Sequence, residues 1–99
     1  MPGVKGSFTE QNVTFQYGEI DLGTNRGIRI NDSAGRHSQE YKLSPNPHND
    51  PWYNKHQTAF YNQAAHSIAT LYFGGNSRLF PRYGKTINVN NIEYTLEAR

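Results

Sequence analysis

The chain has 99 residues and a formal charge of +2, one domain's worth of sequence without the strong basic excess of a dedicated nucleic-acid binder. It contains no cysteine, which excludes zinc fingers and thiol catalysis and favours a reducing, cytoplasmic compartment. Apolar residues other than glycine make up 34%, but seven Tyr, five Phe and one Trp supply large burial each, so an aromatic core is expected rather than disorder.

In chain order, residues 1–10 lack the apolar run of a signal peptide and read as a loose arm or short edge segment. Residues 12–17 alternate, with Val13, Phe15 and Tyr17 on one face, which predicts a strand. Gly18 is expected to break it. Ile20 and Leu22 give a second strand at 19–22, and the turn Gly23–Gly27 leads to a third at 27–31. A fourth is expected at 39–43, with Tyr41 and Leu43 inward. Residues 44–54 hold three prolines and three asparagines and read as an irregular loop of the kind that often carries function. A helix is predicted over 55–73, capped by Asn54 with Gln57 as its partner, and ended by Gly74-Gly75. Its apolar arc is Phe60, Tyr61, Ala64, Ala65, Ile68, Leu71 and Tyr72. Arg78–Phe80 reads as a short strand. Strands at 86–89 and 92–97 pair across Asn90-Asn91, where a tight turn demands positive φ. The expected fold is therefore α+β, a single domain over 1–99 with an antiparallel sheet packed by one helix. No segment is long and apolar enough to span a membrane, so no membrane partner is expected.

Four groups of residues carry candidate chemistry. His37, His48, His56 and His66 fall within thirty residues. His48, His56 and His66 are candidate acid–base or metal groups, because imidazole titrates near neutral pH. His48-Asn49-Asp50 has a spacing that can chelate a metal in an extended segment. The same residues also read as solvated polar groups. Second, Asp21 followed by Glu40-Tyr41-Lys42 resembles the Asp…Glu-x-Lys core of the PD-(D/E)xK nucleases over about 25 residues. That resemblance implies Mg²⁺ held by Asp21 and Glu40, with Lys42 orienting or activating water. Unlike the family's apolar strand, Arg36-His37-Ser38-Gln39 precedes the Glu here.

Third, residues 78–85 place Arg78, Arg82 and Lys85 beside Phe80 and Tyr83, a pattern suited to phosphates and stacked bases. Fourth, Trp52 and Tyr53 stand among Asn, Asp and His in the 44–54 loop. They are candidate contact residues, since aromatics dominate interface hot spots; alternatively, Trp52 folds back over the sheet.

Charge separates the halves. Residues 1–50 hold five basic and six acidic groups, and residues 51–99 hold five and two. The C-terminal half is the expected face for an anionic partner. The leading expectation is a non-enzymatic binding or inhibitor module, engaging a protein or nucleic acid through the 44–56 loop and the 78–85 stretch, without a cofactor. The alternative is a small nuclease or toxin module, using the histidines, or a divalent metal on Asp21 and Glu40. A third reading is self-association through the edge of the 86–96 hairpin.

Overall fold

The computed structural model describes residues 3–75 and 77–99. Six antiparallel strands form one curled sheet in the order β1-β2-β3-β4-β6-β5. They are β1 (Lys5–Glu10), β2 (Val13–Leu22), β3 (Asn25–Asp32), β4 (Ser38–Ser44), β5 (Thr86–Val89) and β6 (Ile92–Glu97). Between β4 and β5 the chain forms a 3-10 turn at Pro47–Asn49, a short helix α1 (Pro51–Lys55) and the main helix α2 (Gln57–Gly74). The α+β class, the antiparallel sheet and the single main helix match the sequence expectation.

Alternation fixes which face of the sheet meets α2. Val13, Phe15 and Tyr17 on β2, Ile28 and Ile30 on β3, Tyr41 and Leu43 on β4, and Tyr94 and Leu96 on β6 are all buried. Gly18 does not break the strand. It pairs with Lys5 on one side and Arg29 on the other, so the two strands expected at 12–17 and 19–22 are one ten-residue strand. Of the two readings of residues 1–10, the edge segment is the one that forms, as β1 over residues 5–10. Its Phe8 ring stacks at 5.3 Å on Phe15 and at 3.8 Å on His66. Opposite Tyr17, a Cβ at Gly6 would come within 2.6 Å of the tyrosine hydroxyl, so the Tyr17 ring lies over Gly6 and would have to shift to admit a side chain there.

The 44–54 segment is the main departure from expectation. Its prolines start helical turns instead of preventing them. Pro47 and Pro51 open the 3-10 turn and α1, where a backbone N–H has no intrahelical partner to lose. The Asn46 side chain accepts from the His48 N–H at 3.0 Å, and Asp50 Oδ1 accepts from the Trp52 N–H at 3.0 Å. Asn54 does not cap α2; its amide donates to the His48 carbonyl at 3.0 Å. His56 holds the cap position without a side-chain bond. The short strand expected at 78–80 is absent. Arg78 adopts φ +51°, which extended pairing does not allow. The Asn90-Asn91 turn forms as expected, with φ of +52° and +68°.

The core is aromatic. Phe60, Tyr61, Ala64, Ala65, Ile68 and Tyr72 on α2 are fully buried, at the positions the helical period assigns. Leu71, placed on the same arc, is 36% exposed. Edge-to-face contacts link Tyr53 to Phe60 at 4.7 Å, Phe60 to Tyr94 at 5.3 Å and Phe15 to Tyr72 at 5.1 Å. Such pairs add to the stabilisation that burial alone gives. Several of the buried ring hydroxyls have a partner in the fold. Tyr53 and Tyr61 share a 2.7 Å hydrogen bond, and Tyr72 donates to Asp32 at 2.5 Å.

Candidate functional site

Residues 78–85 cross from the C-terminal end of α2 to the start of β5 without regular structure, yet their backbone is fixed. Phe80 is 8% exposed and packs on Tyr72 and Phe15. The Tyr41 hydroxyl donates to the Pro81 carbonyl at 2.5 Å. Gly84 N–H donates to the Leu96 carbonyl at 2.7 Å, and Leu96 N–H to the Lys85 carbonyl at 2.8 Å. These anchors leave other side chains outside. Leu79 is 53% exposed and Tyr83 51%, and with Leu71 they are the exposed large hydrophobics among the described residues. Tyr83 leans edge-on against Tyr41 at 5.8 Å and donates to Gln39 at 3.2 Å.

Arg78 lies 5.3 Å over the Phe73 ring. Arg26, Arg29, Lys42 and Arg99 are engaged with carboxylates. Among the described residues, Arg78, Arg82 and Lys85 have no carboxylate in salt-bridge range, and no Asp or Glu occurs in sequence between Asp50 and Glu93. The expected basic-aromatic cluster is therefore assembled, but Phe80 serves as its anchor, not as a surface ring.

Two open clefts flank this ridge. One, of about 550 Å³, is lined by Leu71, Leu79, Phe80, Pro81, Arg82 and Lys85, together with the end of α2. The other, of about 310 Å³, is lined by His37, Ser38, Gln39, Leu79, Phe80 and Arg82. Leu79, Phe80 and Arg82 border both.

The remaining expected site residues lie elsewhere. Tyr53 is fully buried and has no surface to offer a partner. Trp52 is partly buried against the core, its ring 5.4 Å from His56. Lys55 and His56 line a separate cleft of about 510 Å³ at the N-terminal end of α2. Ser44 and Thr86, at the edges of the 44–56 and 78–85 segments, both lie opposite Thr95 of β6, while Lys55 and His56 border a different cleft from the one lined by Leu79–Arg82.

The candidate catalytic histidines do not converge. His48 Nδ1 is 3.1 Å from Asn54 Oδ1, while His66 Nδ1 is 2.7 Å from Glu10 and its ring covers Phe8. His56 and His66 are ten residues apart on one helix, about 15 Å along its axis. The carboxylates are also separated. Asp21 shares the face of β2 that carries Tyr17 and Glu19 and pairs with Arg26 at 3.1 Å. Glu40 is on the opposite face of the sheet, held by Arg29 and Arg99 at 2.6 Å each. Those two guanidinium groups draw its pKa below the usual carboxylate value. Asp21 and Glu40 therefore do not share a metal ion in this fold, and the nuclease-like arrangement expected with Lys42 does not form. Asp50 spends one oxygen capping α1, and its Oδ2 is buried without a partner. Among the described residues, no three His, Asp or Glu side chains cluster as metal ligands, and no helix is long and apolar enough to cross a membrane.

Sequence reasoning did not single out three features. Local pattern places Leu79 in a strand and Leu71 in the core, whereas both are exposed. His37 is brought to Asp32, whose side chain is fully buried: Oδ1 accepts the His37 N–H at 2.8 Å, and the ring Nδ1 is 3.9 Å from Oδ2. No periodicity signals that pairing, because it is made by the β3–β4 turn.

A scan against protein-family models finds no match, and searches of curated proteins and of solved structures find no similar chain.

Proposed function

We propose that the domain is a non-enzymatic binding or inhibitor module that engages a macromolecular partner through residues 78–85 and the clefts beside them. The observation that carries this reading is the coincidence, on one pinned segment, of exposed Leu79 and Tyr83 with Arg82 and Lys85, which lack carboxylate partners. An apolar contact surface costs stability when left in water, and Arg and Tyr are the residue types that concentrate binding energy. A backbone already fixed by Phe80, Pro81 and Gly84 loses little further entropy on binding. A partner that also meets the 44–56 segment would extend from these clefts to the one lined by Lys55 and His56.

The test compares the wild-type domain with a Leu79→Asp, Arg82→Glu variant as immobilised bait, followed by reconstitution with the purified captured species. A species that binds the wild type and not the folded variant supports the reading. A species that binds both equally overturns it.

A nuclease reading keeps one specific support, that His37, whose ring lies 3.9 Å from the buried Asp32 carboxylate, lines the smaller cleft with Arg82. It is tested by incubating labelled single-stranded RNA and duplex DNA with the domain, in Mg²⁺ or in EDTA. Cleavage that disappears in His37→Ala supports it. Absence of cleavage, or cleavage that survives the substitution, removes it.

A further inference from the structure

We infer that the larger cleft, at the C-terminal end of α2, takes an acidic, apolar peptide segment of a protein partner. This rests on the reading of residues 78–85 as the binding face and goes further in naming what they bind.

The lining of the cleft sets the chemistry. Its walls are the aliphatic side chains of Leu71 and Leu79 with Pro81 and the edge of Phe80, and its rim is Arg82 and Lys85. At about 550 Å³ it falls within the size of clefts that hold large side chains or small ligands, roughly 300–1,000 Å³. Leu71 is 36% and Leu79 53% exposed, and among the described residues no other element covers them. Among the described residues no carboxylate is in salt-bridge range of the two rim cations, and the sequence supplies none between Asp50 and Glu93. Apolar anchors flanked by Asp or Glu complement both features, with the charges steering encounter and fixing register.

The same lining disfavours nucleic acid. Sequence-tolerant binding of single strands depends on open aromatic faces for stacking. Phe80 is 8% exposed, and Tyr83 is turned edge-on to Tyr41 with its hydroxyl bonded to Gln39. The cleft offers aliphatic walls instead. Beyond the Leu79–Arg82 ridge lies the polar cleft of His37, Ser38 and Gln39, where a peptide crossing the ridge can place backbone or polar groups.

The experiment selects peptides of about twelve residues from a random phage-displayed library on the immobilised domain. Enriched peptides are then titrated into ¹⁵N-labelled protein, with an oligothymidine strand as the nucleic-acid probe. The expected peptides combine large aliphatic or aromatic residues with Asp or Glu. They shift the amides of Leu71, Leu79 and Lys85, and bind the Arg82→Glu, Lys85→Glu variant at least about tenfold more weakly. The variant's amide spectrum checks that it remains folded. Enriched peptides without acidic residues, or peptides that bind the variant as well as the wild type, overturn the inference. Failure to enrich any peptide also overturns it. Oligothymidine shifts at these amides without peptide binding overturn it too, but leave the binding face at 78–85 standing. Shifts confined to other regions remove both.

Discussion

Tyr72, near the end of α2, donates a 2.5 Å hydrogen bond to Asp32 at the end of β3, and both side chains are buried. The second oxygen of Asp32 accepts from the His37 N–H across the β3–β4 turn. One carboxylate thus ties the helix to the sheet and closes the turn that brings His37 beside Arg82. Tyr72→Phe removes the donor and leaves a buried carboxylate oxygen without it. Destabilisation of about 1–3 kcal/mol is expected in urea unfolding, with native fold retained. A change below a few tenths of a kcal/mol would show that water replaces the hydroxyl freely.

Alkaline pH is expected to unfold the protein. Burial raises the pKa of Tyr41, Tyr53 and Tyr61, and pushes Tyr72 and Tyr94 up to about 12. Unfolded tyrosine titrates near 10. Between those values the unfolded chain binds fewer protons than the folded one, so stability falls as pH rises. The contribution is fully present below about pH 10 and is lost through pH 12 and above. Each tyrosine held neutral adds about 1.4 kcal/mol per pH unit to the slope. Circular dichroism and tyrosinate absorbance, followed together, should show one cooperative transition carrying several tyrosines.

His66 is expected to hold the sheet edge and not to catalyse. Its ring stacks on Phe8 and its Nδ1 meets Glu10, both on β1. His66→Ala should speed hydrogen exchange at the β1 amides that pair with β2, while the β3–β4 amides stay protected. Uniform acceleration across the sheet would instead mean a global loss of stability.

The Asn90-Asn91 turn gives a local test of the β5–β6 hairpin. Both residues have positive φ. Asn91→Gly should be neutral or mildly stabilising, because glycine meets that conformation without a Cβ. Asn91→Val should cost about 1–2 kcal/mol in thermal or urea unfolding. Equal stability of the two variants would show that the turn relaxes to another type.

The hairpin also bears on self-association. β6 is not an edge, since it pairs with both β4 and β5. Only the outer side of β5, four residues long, remains open there, and strands that short are poor templates for pairing.

Local pattern determined the class of this fold. Alternation at Val13, Phe15 and Tyr17, the helical period from Phe60 to Tyr72 and the paired asparagines at 90 and 91 each encode their own conformation through steric rules that act over a few residues. The 44–54 segment misled for the same reason. Proline chemistry is local, but whether Pro47 and Pro51 break a strand or open a helical turn depends on the Asn46 and Asp50 caps and on Tyr53 finding a core to enter. The site was legible only as composition, three cations with two aromatics in residues 78–85. Which of those side chains turn outward depended on contacts distant in sequence, Tyr41 on Pro81 and Phe15 and Tyr72 on Phe80. The meeting of Asp32, His37 and Tyr72 likewise depends on strand register and helix packing. Local propensity fixes the elements; burial and hydrogen-bond satisfaction across the sheet decided what they leave exposed.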